Sequence, residues 1–274
     1  MRAMVTAKSL AATLACALRA LGAAHANEDV QKRIADPSGQ VLQTVDYANT
    51  RYSRLDQITA ANVGKLAVAW TFSTGVLRGH EGSPLVVDGV MYVHTPFPNI
   101  VYALDLEHDG RILWKYEPKQ DRAVTAIMCC DLINRGLAFA EGMVFLHQAD
   151  TTIVALGART GAVRWKVANG DPKKGESNTA TVMPVKDKLI VGIAGAEFGA
   201  HGHISAYNLK DGTLAWRAYS TGPDADMLLD PEKTTELGKP VGADSSLKSW
   251  QGDQGKLAAG APGGGFAYDP GRNP

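Results

Sequence analysis

Net charge is the first thing this sequence lacks: among 274 residues, 28 Lys and Arg balance 28 Asp and Glu. That balance gives no electrostatic reason to expect nucleic acid or an acidic partner. A long apolar run near the start is also lacking, since residues 10–18 fall short of the roughly 20 residues a membrane span needs. With Arg2 and Lys8 before it and Ala24-His25-Ala26 after it, that run reads instead as the core of a secretory signal peptide over residues 1–26. His201 and His203 lie two apart with no third ligand at zinc spacing, so they read as structural or surface residues. Gly263-Gly264-Gly265 has no following Lys-Ser/Thr, which excludes a phosphate loop. Cysteine is scarce: Cys16 leaves with the leader, and only Cys129 and Cys130 remain in a mature chain of about −3 net charge.

Those two cysteines are adjacent in Cys129-Cys130-Asp131-Leu132-Ile133-Asn134-Arg135-Gly136. Adjacent Cα atoms stand about 3.8 Å apart, closer than a relaxed disulfide prefers. A bridge would close a small strained ring, and strain of that kind gathers at functional sites. The plain alternative is a chance pair of small buried thiols. In an oxidising compartment they pair with each other, pair between chains or stay free; export favours the first.

What is present in quantity is a repeat. Ala103-Leu104-Asp105 runs through Gly110 to Trp114, Ala155-Leu156-Gly157 through Gly161 to Trp165, and Ala206-Tyr207-Asn208 through Gly212 to Trp216. Trp114 to Trp165 is 51 residues and Trp165 to Trp216 is again 51, with Trp70 starting the series. Between the tryptophans lie β-rich hairpins around Asp88-Gly89, Glu141-Gly142 and Lys186-Asp187. Each period holds about four short strands, the content of one propeller blade. A sandwich would give similar strands but no fixed spacing, so the predicted fold is an all-β propeller over residues 27–274. Residues 221–254 read as a long inter-blade excursion, and residues 266–270 as the first strand of another blade.

The tryptophan-ended repeats resemble the pyrroloquinoline quinone (PQQ) dependent alcohol dehydrogenases, nearest the methanol dehydrogenase large subunits and their lanthanide-using branch. So do His80-Glu81-Gly82-Ser83-Pro84, Cys129-Cys130-Asp131 with Arg135-Gly136, Gly195-Ala196-Glu197, residues 94–99 and residues 217–224. The resemblance implies an eight-bladed propeller of which about four blades are present. It implies that Glu81 contacts the quinone edge, that Cys129 and Cys130 form a vicinal disulfide packed on one PQQ face, and that Arg135 pairs with PQQ oxygens. Thr181, three residues before Pro184, would donate to a PQQ carboxylate; Gly195 and Ala196 would bring backbone to the cofactor; Glu197 would ligate Ca²⁺ or a lanthanide. These residue types suit the chemistry, because a flat tricarboxylate needs fixed cations and N–H donors and a hard ion takes oxygen ligands. Without the resemblance, Arg135, Glu81 and Glu197 read as solvated surface charges and Thr181 as an ordinary strand residue.

The departures are as definite. The family stacks a tryptophan on the PQQ face opposite the disulfide; alignment on Tyr268-Asp269-Pro270 puts Gly263 there. The asparagine metal ligand, the catalytic aspartate, a further arginine and the aspartate separating lanthanide from calcium enzymes would all lie beyond Pro274. The expectation is therefore the N-terminal portion of a periplasmic quinoprotein alcohol dehydrogenase, inactive alone. It would oxidise a primary alcohol to the aldehyde and pass electrons to a c-type cytochrome, with a second copy of the chain as a further candidate partner. The competing expectations are a non-enzymatic propeller scaffold of the same repeats and an inactive remnant.

Overall fold

Helix α1 (Glu28–Ala35) begins the structure, a computed structural model that describes residues 26–256 and 260–272. The signal peptide expected over residues 1–26 lies, apart from Ala26, outside the described residues. Asn27 caps α1 by accepting from the Val30 N–H at 3.1 Å. Glu28 and Asp29 occupy the first turn and Lys32 and Arg33 the last, which complements the helix dipole. The cap and charge order of this stretch are a helix signature readable in the residues themselves.

The repeat folds as twelve strands in three four-stranded antiparallel sheets. The first holds β1 (Leu85–Val87), β2 (Val90–His94), β3 (Val101–Asp105) and β4 (Arg111–Tyr116). The second holds β5 (Ala138–Ala140), β6 (Met143–His147), β7 (Thr152–Gly157) and β8 (Val163–Ala168). The third holds β9 (Met183–Val185), β10 (Lys188–Val191), β11 (His203–Asn208) and β12 (Leu214–Tyr219). In each sheet the last pair slips register at one corresponding place: Ala103/Leu104, Ala155/Leu156 and Ala206/Tyr207. Burial follows the blade plan, with β5 wholly buried and the outer strand β8 alternating towards solvent.

The tryptophan and the glycine of the repeat meet between blades, not within one. A Cβ on Gly161 would lie 2.7 Å from the Trp114 ring, and one on Gly212 would lie 2.5 Å from the Trp165 ring. Both glycines have φ near +70°, which also favours glycine. The indoles are anchored by N–H donation, Trp114 to the Ala158 carbonyl at 2.7 Å and Trp165 to the Leu209 carbonyl at 2.8 Å. Trp70 covers Gly110 in the same way, although its own segment forms no strand. Trp216 has no such cover among the described residues and is 39% exposed.

α1 fastens the three blades at their hairpin turns. Arg33 pairs with Asp88 at 3.1 Å, Asp29 accepts from the Glu141 N–H at 2.8 Å, and the Asn27 amide donates to Glu141 and to the Lys186 carbonyl. Residues 221–254 form the expected excursion, holding only the hairpin β13 (Thr235–Glu236) and β14 (Lys239–Pro240) and the single-turn α2 (Ser245–Lys248). Residues 266–270, expected as a strand, are not one. The Tyr268 N–H donates to the Tyr47 carbonyl at 2.7 Å and its ring meets Tyr47 edge-on, but no neighbouring strand is present among the described residues. No helix among the described residues is long and apolar enough to cross a membrane.

Candidate functional site

The loop from β4 to β5, the loop from β8 to β9 and the loop from β10 to β11 converge at one end of the blades. Together with residues 261–264 they enclose a cavity of about 450 Å³. Cys129, Arg135, Thr179, Ala194, Gly195, Ala196 and Glu197 line it, with Ala261, Gly263 and Gly264 across from them.

Arg135 is its organising cation. Its backbone N–H donates to the Thr179 carbonyl at 3.1 Å, and its Nη1 donates to Thr179 Oγ1 at 3.0 Å and to the Gly263 carbonyl at 3.3 Å. Glu81 Oε2 stands 3.6 Å from Arg135 Nε, an ion pair at the half-exposed rim rather than inside the cavity. Gly82 seats that rim loop against His94: a Cβ there would overlap the imidazole, whose Nε2 donates to the Asn134 carbonyl at 3.0 Å. Burial depresses the His94 pKa to about 4, so the ring is neutral and can serve as this donor.

Glu197 sits in the single turn Ala196–Phe198, exposed, between Gly195 at φ 113° and Gly199 at φ 91°. A Cβ on Gly195 would overlap the Gly175 carbonyl, so glycine is required for the two loops to approach. Bridge pairing of Ser177 with Ala194 holds the same two loops together.

Cys129 and Cys130 are free thiols in this structure, with Sγ atoms 2.6 Å apart and Cys130 and Asp131 both at φ 61°. Burial, then the hydrogen bond and charge of Cys130 and the charge of Glu197, push the Cys129 thiol up to about 12; Arg135 opposes this. Only Cys129 of the pair faces the cavity.

The site residues read from the sequence therefore separate. Cys129, Arg135, Gly195, Ala196 and Glu197 come together, while Glu81 and Cys130 stand at the edge. Thr181 does not line the cavity: it is 4% exposed, and its hydroxyl turns to the Val182 carbonyl. Thr179, two residues earlier, is the hydroxyl on Arg135. Counting back from Pro184 leads to Thr181 and not to the hydroxyl on Arg135; Asn178, a turn-forming residue just before Thr179, is the signal for the latter. His201 stacks on Tyr219 with centroids 4.5 Å apart, and His203 is buried against the His201 and Asn169 carbonyls, as structural residues are.

A cavity this size, with a fixed arginine, a hydroxyl and an adjacent carboxylate turn, fits one edge of a flat polyanionic ring. Toward a metal ion, the described residues hold no cluster of three His, Cys, Asp or Glu, so Glu197 would be one oxygen ligand of several. Among the described residues, those lining the side opposite Cys129 carry no ring: a Cβ on Gly263 would make only ordinary contacts, at 3.6 Å to Thr179 and 3.7 Å to Ala194.

Blades locked by a tryptophan on the next blade's glycine, with an arginine-centred cavity on the loops at one end, define a propeller protein built to hold an anionic group. The chain belongs to the glucose/ethanol/alcohol dehydrogenase β-propeller family, the PQQ domain, whose profile matches residues 43–250. It is 66% identical over 257 residues to the lanthanide-dependent methanol dehydrogenase of Methylorubrum extorquens, covering 94% of this chain and 43% of that protein. It is 60% identical over 251 residues to the putative dehydrogenase XoxF of Paracoccus denitrificans, covering 92% and 42%. A europium-containing methanol dehydrogenase superposes with a TM-score of 0.85 at 46% identity, covering 89% of this chain and 43% of that one. The chain thus spans under half the length of these relatives.

Proposed function

We propose that this chain is part of a PQQ-dependent alcohol dehydrogenase of the methanol dehydrogenase kind, exported to the periplasm and served by a c-type cytochrome as electron acceptor. The observation that carries the reading is Arg135 beside Thr179, across one cavity from the Glu197 turn. Bound there, PQQ would supply the hydride acceptor for oxidation of a primary alcohol, and Ca²⁺ or a lanthanide ion would supply the Lewis acid. Arg135 and Thr179 would hold the anionic rim, Gly195 and Ala196 would admit the ring edge by presenting backbone, and Glu197 would give the ion a carboxylate oxygen. Glu81 orients the Arg135 guanidinium from the rim. Cys129 and Cys130, joined by oxidation after export, would give the ring a flat, rigid wall; their sulfur atoms are already adjacent. With Glu81 assigned to Arg135 and Glu197 to the ion, this reading leaves the base that takes the alcohol proton to a residue outside the set.

The test is reconstitution of the whole polypeptide with PQQ and either Ca²⁺ or La³⁺, followed by gel filtration. Co-elution of quinone absorbance at one equivalent is expected, and failure with both ions sinks the reading. A mass about two units below the fully reduced value is expected for the bridged pair. Two alkylatable thiols in an unreduced sample would remove the bridge from the proposal.

A further inference from the structure

Arg135 and Thr179 are held by matching pieces of buried structure. Asn134 precedes Arg135 and Asn178 precedes Thr179, and both asparagines are buried, at 2% and 0% exposure. Asn134 Oδ1 accepts from the Gly136 N–H at 3.1 Å, and Asn178 Oδ1 accepts from the Ala180 N–H at 3.0 Å. Each asparagine therefore closes a turn over the one residue that faces the cavity. Both side-chain amides then donate, each at 2.8 Å, to one acceptor, the carbonyl of His147 at the end of β6. The two lone pairs of that carbonyl are shared between the two turns, which fixes their separation.

We propose that Asn134 and Asn178, joined through the His147 carbonyl, are positioning residues that set the spacing of Arg135 and Thr179 for an anionic ligand edge. The inference rests on the cofactor reading above for the ligand's identity, but not for the geometry. An Asp at either site keeps the acceptor that closes the turn and loses the amide donor; at Asn134 this removes the tie to His147, and at Asn178 it also removes the bond to the Ala180 carbonyl at 3.1 Å. A Ser keeps a weaker version of the same turn and cannot reach His147, which covers the case that a buried Asp prevents folding. One such bond is worth about a three- to tenfold change in an equilibrium.

The experiment compares the whole polypeptide with its Asn178→Asp, Asn178→Ser and Asn134→Ser variants in two measurements. PQQ affinity, from quinone absorbance titration in the presence of La³⁺, is expected to weaken about three- to tenfold. The Arg135 side-chain N–H resonance, assigned with Arg135→Lys, is expected to lose its protection from exchange because the Thr179 contact loosens. A folded variant in which both readouts match the wild type overturns the proposal. If the wild type takes up no PQQ, the cofactor reading fails, and the Arg135 resonance alone decides the positioning role. A variant that loses thermal stability yet keeps the protected resonance would assign the asparagines to folding only, against the proposal.

Discussion

On one side of the cavity, Arg135, Thr179 and Glu197 stand on loops tied to the blades by buried hydrogen bonds and glycine-on-backbone contacts. On the other, residues 261–264 meet Arg135 through a single carbonyl at 3.3 Å and present only small side chains. The first side inherits its precision from the repeat. The blade that contains β6 is held to its neighbours through Trp114 and Trp165, and the last residue of β6 supplies the carbonyl on which two cavity turns rest. The second side follows the long excursion, whose one sheet among the described residues is the two-stranded β13-β14, and residues 261–264 belong to no sheet. The contrast teaches that a propeller positions what hangs on its inter-blade loops, and that anything reaching the site from outside the blades must bring its own bulk.

The largest expected effect tests the blade side of this contrast. Trp165→Ala should cost about 3–5 kcal/mol in urea unfolding, because it empties a seam and frees the Leu209 carbonyl. Trp216→Ala should cost far less than that, and an equal cost would mean that Trp216 is covered in solution. Next, Arg135→Ala should weaken PQQ binding about 10- to 100-fold, the loss of charge-assisted bonds from the built side. Absorbance titration reads this, and a loss below threefold would move the anion away from Arg135.

A smaller effect is acid sensitivity under the rim. Buried His94 and His147 have pKa values of about 4 and about 3, against about 6.5 in an unfolded chain. Between those values the unfolded state binds more protons, so stability falls as pH drops below about 6.5. The expected slope is on the order of 1 kcal/mol per pH unit for each histidine, read from urea midpoints between pH 7 and 5. His147 offers the cleaner check, because neither ring nitrogen makes a well-formed hydrogen bond and the Thr151 backbone only weakly opposes the effect of burial; His147→Leu should flatten the slope with little loss at pH 7. The smallest effect tests the thin side. Gly263→Trp, at a position with room for a side chain, should tighten PQQ binding about two- to tenfold by stacking. No change would mean that this side never faces the ring.

Much of this contrast is legible in the residues. The 51-residue tryptophan spacing gives the blades, and the stretch from Cys129 to Arg135 with Gly195-Ala196-Glu197 gives the loops that converge. Spacing does not say that each tryptophan serves the next blade's glycine, because that contact joins residues 40 to 47 apart across a seam. Anchoring on Pro184 points to Thr181, whereas the hydroxyl on Arg135 is that of Thr179, in a turn set by an asparagine whose partner, the His147 carbonyl, has no sequence signature. Residues 266–270 have a strand-like pattern, yet a strand exists only beside another, and none is available among the described residues.

The indoles at the seams also make the ring optically self-reporting. Trp114 and Trp165 are buried, hydrogen-bonded to a carbonyl of the neighbouring blade, and stacked against its glycine. Parting either seam wets one indole, so its emission should shift to the red while the already exposed Trp216 changes little. With Trp70 and either Trp114 or Trp165 replaced by Phe, the red shift that remains follows one joint at a time. The order in which the blades come apart can then be watched without attaching any label.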